Sequence, residues 1–89
     1  MTEAKLFESV KRVLIKDWDP IGVRSVPQAQ DEYDGYAGSI VKMLAAGATV
    51  SDLSKHLLEI ETKSMGLAGH RERAFAAAQK LCALHSTPN

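Results

Sequence analysis

Apolar side chains recur along this chain at helical spacing in four blocks. In residues 3–18 they fall at Leu6, Phe7, Val10, Val13, Leu14 and Trp18, while Lys5, Glu8, Lys11, Arg12 and Lys16 take the other face. That is one apolar stripe on an α-helix. Pro20 closes it, because proline pushes Asp19 out of the helical region. Asp17 falls in the last turn, where the helix dipole disfavours a carboxylate by about 0.3–1 kcal/mol. Solvent or a cation such as Lys16, Arg24 or a partner's would have to stabilise it. A second helix is predicted over 31–46, with Tyr36, Ile40, Val41 and Leu44 on its inner face and Gly47 as its stop. Gly35 and Gly38 weaken its first half by about 1 kcal/mol each relative to alanine.

The third block opens at Thr49-Val-Ser-Asp52, a hydroxyl followed three residues later by an acid, which reads as a capping box. Leu53, Leu57, Ile60 and Met65 give the inner stripe of a helix over 50–65, and Gly66 ends it. A fourth helix is predicted over 68–84. Its inner face is read as Arg71, Ala74, Phe75, Ala78, Leu81 and Cys82. A short polar tail, 86–89, follows. The fold class expected is all-α: one domain, 1–89, a compact bundle of about four helices with a long ordered loop between the first and second.

That loop, within residues 18–36, interrupts the helical pattern. It reads W-D-P-I-G-V-R-S-V-P-Q-A-Q-D-E-Y-D-G-Y and holds the only tryptophan and both tyrosines. Asp19-Pro20 and Gly22 are turn chemistry. Ile21, Val23 and Val26 are expected to pin the loop against the bundle. Trp18 and one tyrosine are expected to fill the junction of the first two helices, with their N–H and O–H hydrogen-bonded to the loop. Aromatic residues with polar handles are also what interaction surfaces favour. The candidate interaction surface is therefore Trp18, Asp19, Arg24, Asp31, Tyr33, Asp34 and Tyr36, with the two tyrosines as anchors and the charges as orienting groups.

The landmarks W-D-P-I-G-V at 18–23, D-E-Y-D-x-Y at 31–36, L-x-x-G-A at 44–48, I-E at 60–61 and M-G-L at 65–67 together resemble the YugE-like family. These are small all-helical bacterial proteins of unknown function. The resemblance spans most of the chain, and departs where the family often has proline near the start of the second helix, at Ala37-Gly38 here. It implies an all-α fold and a bacterial source. It brings no catalytic residue, cofactor or substrate. Small proteins of this look also serve as immunity partners of bacterial toxins, a likeness of class and not of motif.

Charge removes one class of partner. Eleven basic residues balance eleven acidic ones, so the cationic excess that displaces counterions from nucleic acid is missing. No apolar run approaches the about 20 residues that span a bilayer, and residues 1–10 are not a secretory signal. Cys82 is the single cysteine. With no disulfide framework to build, a cytoplasmic setting is expected.

Catalytic and metal chemistry find little footing. Asp17, Asp19, Asp31, Glu32 and Asp34 lack the spacing of a calcium loop, and cap turns and helices more naturally. His56-Leu-Leu-Glu59 reverses the order of a di-metal E-x-x-H pair and occurs once. Cys82 on an alanine-rich stripe behaves as a small hydrophobe. The run 70–73, His-Arg-Glu-Arg, reads as a solvated face. No catalytic, cofactor-binding or metal residue is assigned. The function expected is a non-catalytic protein-interaction module, with an unidentified partner and no nucleic acid or membrane. The alternatives are a self-associating homodimer that covers Met43 and Leu58, and an immunity-type partner.

Overall fold

The computed structural model describes residues 3–85. Thr2, which the sequence offers beside Glu3 as the opener of the first helix, and the tail 86–89 lie outside them. Every regular element among the described residues is helical. Helix α1 spans Glu3–Val13 and runs directly into a wider π turn, Leu14–Trp18. Two 3₁₀ segments follow, Val23–Ser25 and Pro27–Tyr33. Then come α2 (Asp34–Ala45), α3 (Val50–Glu59) with its own π turn, Ile60–Ser64, and α4 (Arg71–His85). The expected all-α bundle of four helices is the fold observed.

The stripe of α1 buries at steps of four: Leu6, Val10, Leu14 and Trp18. Four residues overshoot one α-helical turn, so such a stripe drifts around the helix. The π turn corrects the drift. Asp19 N–H donates to the Leu14 carbonyl at 2.7 Å, five residues back, and the wider turn brings Trp18 beneath Leu14. The same device ends α3, where Met65 N–H donates to the Ile60 carbonyl at 2.9 Å. There Thr62 Oγ1 also donates to the Leu58 carbonyl at 3.0 Å, a back-bond that bends helices. The widening carries Glu61 to the buried side beside Ile60.

The second helix begins at Asp34, the later of the two starts, Asp31 and Asp34, that the sequence allows, because Pro27–Tyr33 is wound as a 3₁₀ segment instead of an open loop. Proline supplies the fixed φ that starts it. Val23 is the loop's buried pin, whereas Ile21 and Val26 are nearly half exposed; the turn at Gly22 and the short 3₁₀ segment rotate those two outward. The capping box of α3 forms as expected. Asp52 N–H donates to Thr49 Oγ1 at 3.1 Å and Thr49 N–H to Asp52 Oδ2 at 3.0 Å. These bonds hold the Asp52 carboxyl below its ordinary value. Gly47, at φ 87°, stops α2 as expected.

Helix α4 departs most from the expected face. Ala74, Ala77, Ala78 and Leu81 are buried, while Arg71 and Phe75 face out. The three alanines let α4 pack close to α3 and α1, and a phenyl ring has no place in so narrow a gap. The helix also starts at Arg71 and not near 68. Gly69 sits at φ 87°, where a Cβ would meet Thr62 Cγ2 at 3.0 Å, and His70 Nδ1 accepts from Arg73 N–H at 3.0 Å as an N-terminal cap. Met43 and Leu58 are half-buried, packed against the core rather than standing free.

Close packing of α4 has a direct test. Ala78→Leu should cost about 1–3 kcal/mol through overpacking, whereas Phe75→Ala should move stability by no more than about 0.5 kcal/mol. Urea denaturation followed by circular dichroism measures both.

Candidate functional site

The chemically rich 18–36 segment folds into a closed structural cluster. Trp18 and Tyr33 are fully buried, with ring centroids 5.2 Å apart and planes tilted by 53°. Tyr36 completes a triangle, edge-on to Trp18 at 6.2 Å and 6.3 Å from Tyr33. Such aromatic pairs add about 0.5–1.5 kcal/mol each beyond their burial. Asp19 is bent into the left-handed region at φ 33°, a conformation rare for residues other than glycine. Its Oδ1 accepts from Val23 N–H at 2.7 Å and from the Tyr33 hydroxyl at 2.8 Å. The strained turn is held by its own carboxylate.

Of the expected surface, then, Trp18 and Tyr33 are corrected to core residues. Trp18 does fill the helix junction, but its N–H leaves the loop and reaches across the bundle. Asp19 is half-buried and committed to Tyr33 and Val23. Asp34 opens α2, where the helix dipole favours an acid, and pairs with Lys11 Nζ at 3.1 Å. That pairing raises the Lys11 ammonium above its ordinary value. Asp31 faces solvent and Tyr36 is half-buried. The side chain of Arg24 lies outside the described set. Asp17 finds its cation on another helix: Lys80 Nζ donates to Asp17 Oδ1 at 2.9 Å.

Trp18 Nε1–H donates to Glu61 Oε2 at 2.9 Å. Glu61 has no solvent exposure. Its Oε1 accepts from Arg73 Nη2 at 2.8 Å and from His70 N–H at 3.1 Å, and its own carbonyl accepts from Leu67 N–H at 2.7 Å. One carboxylate thus joins the end of α1, the end of α3 and the start of α4. Of run 70–73, expected to be a solvated face, His70, Arg71 and Glu72 are exposed as expected; only Arg73 departs, its guanidinium turned toward Glu61. The sequence signals for this were slight, since a lone Glu beside Ile60 and an Arg in a mixed run each have ordinary surface readings.

Among the described residues, no three His, Cys, Asp or Glu gather as a metal-binding group. Cys82 is half-buried, its Sγ 3.8 Å from the Ala48 carbonyl, and burial pushes its thiol up, away from the thiolate that reacts. No helix among these residues is long and apolar enough to cross a membrane.

A partly apolar concave surface lies elsewhere. A groove of about 600 Å³ runs between α3 and α4, lined by Ser51, Ser54, Lys55, Leu58, Arg71, Glu72 and Phe75. Ligand sites commonly have volumes of about 300–1,000 Å³. Phe75 stands at the groove 48% exposed. Sequence periodicity missed it because a phenylalanine was assigned to the core. The signal that could have found it is the Ala74, Ala77, Ala78, Leu81 stripe, which already fills a helical face.

No family model, curated protein or solved structure matches the chain.

Two variants test the buried cluster. Glu61→Ala leaves the part-exposed Arg73 and the buried Trp18 N–H without their acceptor and should cost about 1–3 kcal/mol in urea unfolding followed by tryptophan fluorescence. The second concerns alkaline pH. Burial, followed by the bond to Asp19, raises the Tyr33 phenol well above its ordinary value of about 10. The folded chain therefore keeps a proton that the unfolded chain releases. Stability from this group is complete below about pH 10 and is lost as pH rises through the folded value. Tyr33→Phe should lower the melting temperature at neutral pH and flatten its fall above pH 10, compared with wild type on the same titration.

Proposed function

We propose that this chain is a non-catalytic protein-interaction module whose binding face is the α3–α4 groove. The observation that carries the proposal is Phe75, a large aromatic side chain left nearly half exposed on a helix whose inward face is already complete. Aromatic residues standing in a concave, partly apolar surface are the usual anchors of protein recognition. The paired carboxylates, of which only Glu61 is fully buried, are consistent with this. Asp17, Asp19, Asp34 and Glu61 are each bound to a named donor, so their chemistry is spent on the fold. The 18–36 segment is then a folded connector, and its exposed Asp31 is a minor feature.

Kinship with the YugE-like proteins belongs to the same proposal, as does a cytoplasmic bacterial setting. The kinship rests on the landmark residues alone, among which Trp18, Asp19, Val23 and Glu61 make internal contacts described above. A homodimer is the second reading, because a second copy would also cover Phe75.

Affinity capture from the native lysate tests the module. Phe75→Ser should abolish capture without lowering the melting temperature, while Asp31→Lys should leave it intact. Loss with Asp31→Lys alone would return the binding face to the loop edge. Sedimentation at micromolar concentration should give a monomer; a dimer that Phe75→Ser dissolves would favour the homodimer.

A further inference from the structure

Resting on that reading of the groove, we infer the chemistry of its occupant: an amphipathic helical segment of another protein that carries acidic side chains beside its apolar ones. The groove supplies three kinds of contact. Leu58 and Phe75 offer apolar surface, Ser51 and Ser54 offer hydroxyls, and Lys55 and Arg71 offer positive charge from opposite helices. Two helices packed side by side leave a trough along their shared length, which is the shape that receives a partner helix by its apolar face.

Charge selects among the possible occupants. The chain as a whole is neutral, yet the groove lining holds two cations against the single acid Glu72. Arg71 enters no ion pair with any described residue. It is also the first residue of α4, so a carboxylate brought beside it would meet the positive end of the helix dipole as well as the guanidinium. Asp52 lies near enough to Lys55 to feel its charge, but its carboxylate is occupied in the cap of α3. A second copy seated on this face would bring Lys55 and Arg71 of both chains together, four cations against two copies of Glu72. An interface built on a twofold axis must be complementary to itself, and this lining is not. An acid-bearing helix meets the same groups without that repulsion and leaves Phe75 and Leu58 covered.

A displayed library of helical peptides tests this. Each peptide carries fixed leucines at i, i+3, i+4 and i+7, with flanking positions randomised over Glu, Gln, Lys and Ser. Selection uses the full chain as bait. The expected winners carry Glu at the flanks, bind more weakly as salt is raised, and lose about tenfold or more in affinity with Arg71→Glu and again with Phe75→Ala. Lys42→Glu, on the exposed side of α2, should leave binding unchanged, and the melting temperatures of the three variants should match wild type. Winners that are neutral or Lys-flanked and still depend on Phe75 would overturn the acidic occupant while leaving the interaction module standing. Failure to enrich any peptide that depends on Phe75 would overturn both.

Discussion

The fold depends on one buried carboxylate. Removing Glu61 from water would cost several kcal/mol if it stood alone. Arg73 supplies the opposite charge, and the Trp18 indole and the His70 amide occupy further acceptor positions. A buried ion pair of this kind adds little net stability compared with apolar packing. What it adds is discrimination. A slip of α1, α3 or α4 would leave a charge or a polar hydrogen unpaired in the core, so the three helix ends are held in one relative arrangement. The two π turns serve this arrangement as well, since each brings one partner, Trp18 or Glu61, to the meeting point.

From Trp18 the constraint passes outward to the connector. The indole is fixed at one edge by Glu61 and packed on its rings by Tyr33 and Tyr36. Tyr33 in turn holds the Asp19 carboxylate that closes the left-handed turn after α1. A backbone conformation of that kind costs about 1–3 kcal/mol and persists only where its surroundings over-determine it. Here the surroundings are two short hydrogen bonds to one oxygen. The strain at Asp19 is therefore explained by the turn that redirects the chain from α1 toward α2, and it needs no chemical role.

Much of the fold was legible in the sequence because it rests on local signals. Periodicity placed the helices, Thr49 and Asp52 announced a cap, and Gly47 and Gly66 announced stops. What periodicity could not carry was polarity turned inward. Glu61 and Arg73 are ordinary surface residues by type, and only contacts between residues 43 or 12 positions apart bury Glu61 and turn Arg73 toward it. The 3₁₀ winding of Pro27–Tyr33 was hidden for a different reason: short 3₁₀ segments leave no long apolar repeat. On α4 the error came from ranking by size. Phe75 outranks alanine in hydrophobicity, but the gap between α4 and its neighbours is set by close approach of the helices, which alanine permits and phenylalanine prevents.

That last point bears on function. The buried stripe of α4 is satisfied by Ala74, Ala77, Ala78 and Leu81, so the fold places no demand on position 75. A glutamine or lysine there would keep the helix equally well. The loop presents the contrary case: Trp18 and Tyr33 look like recognition residues by type and are consumed by packing. Type alone therefore misassigns both regions, and burial reverses them. A residue the fold requires is explained by the fold; Phe75 is large, apolar and exposed, and packing within α4 gives no reason for it, which is why the proposed binding face is placed there and not on the loop.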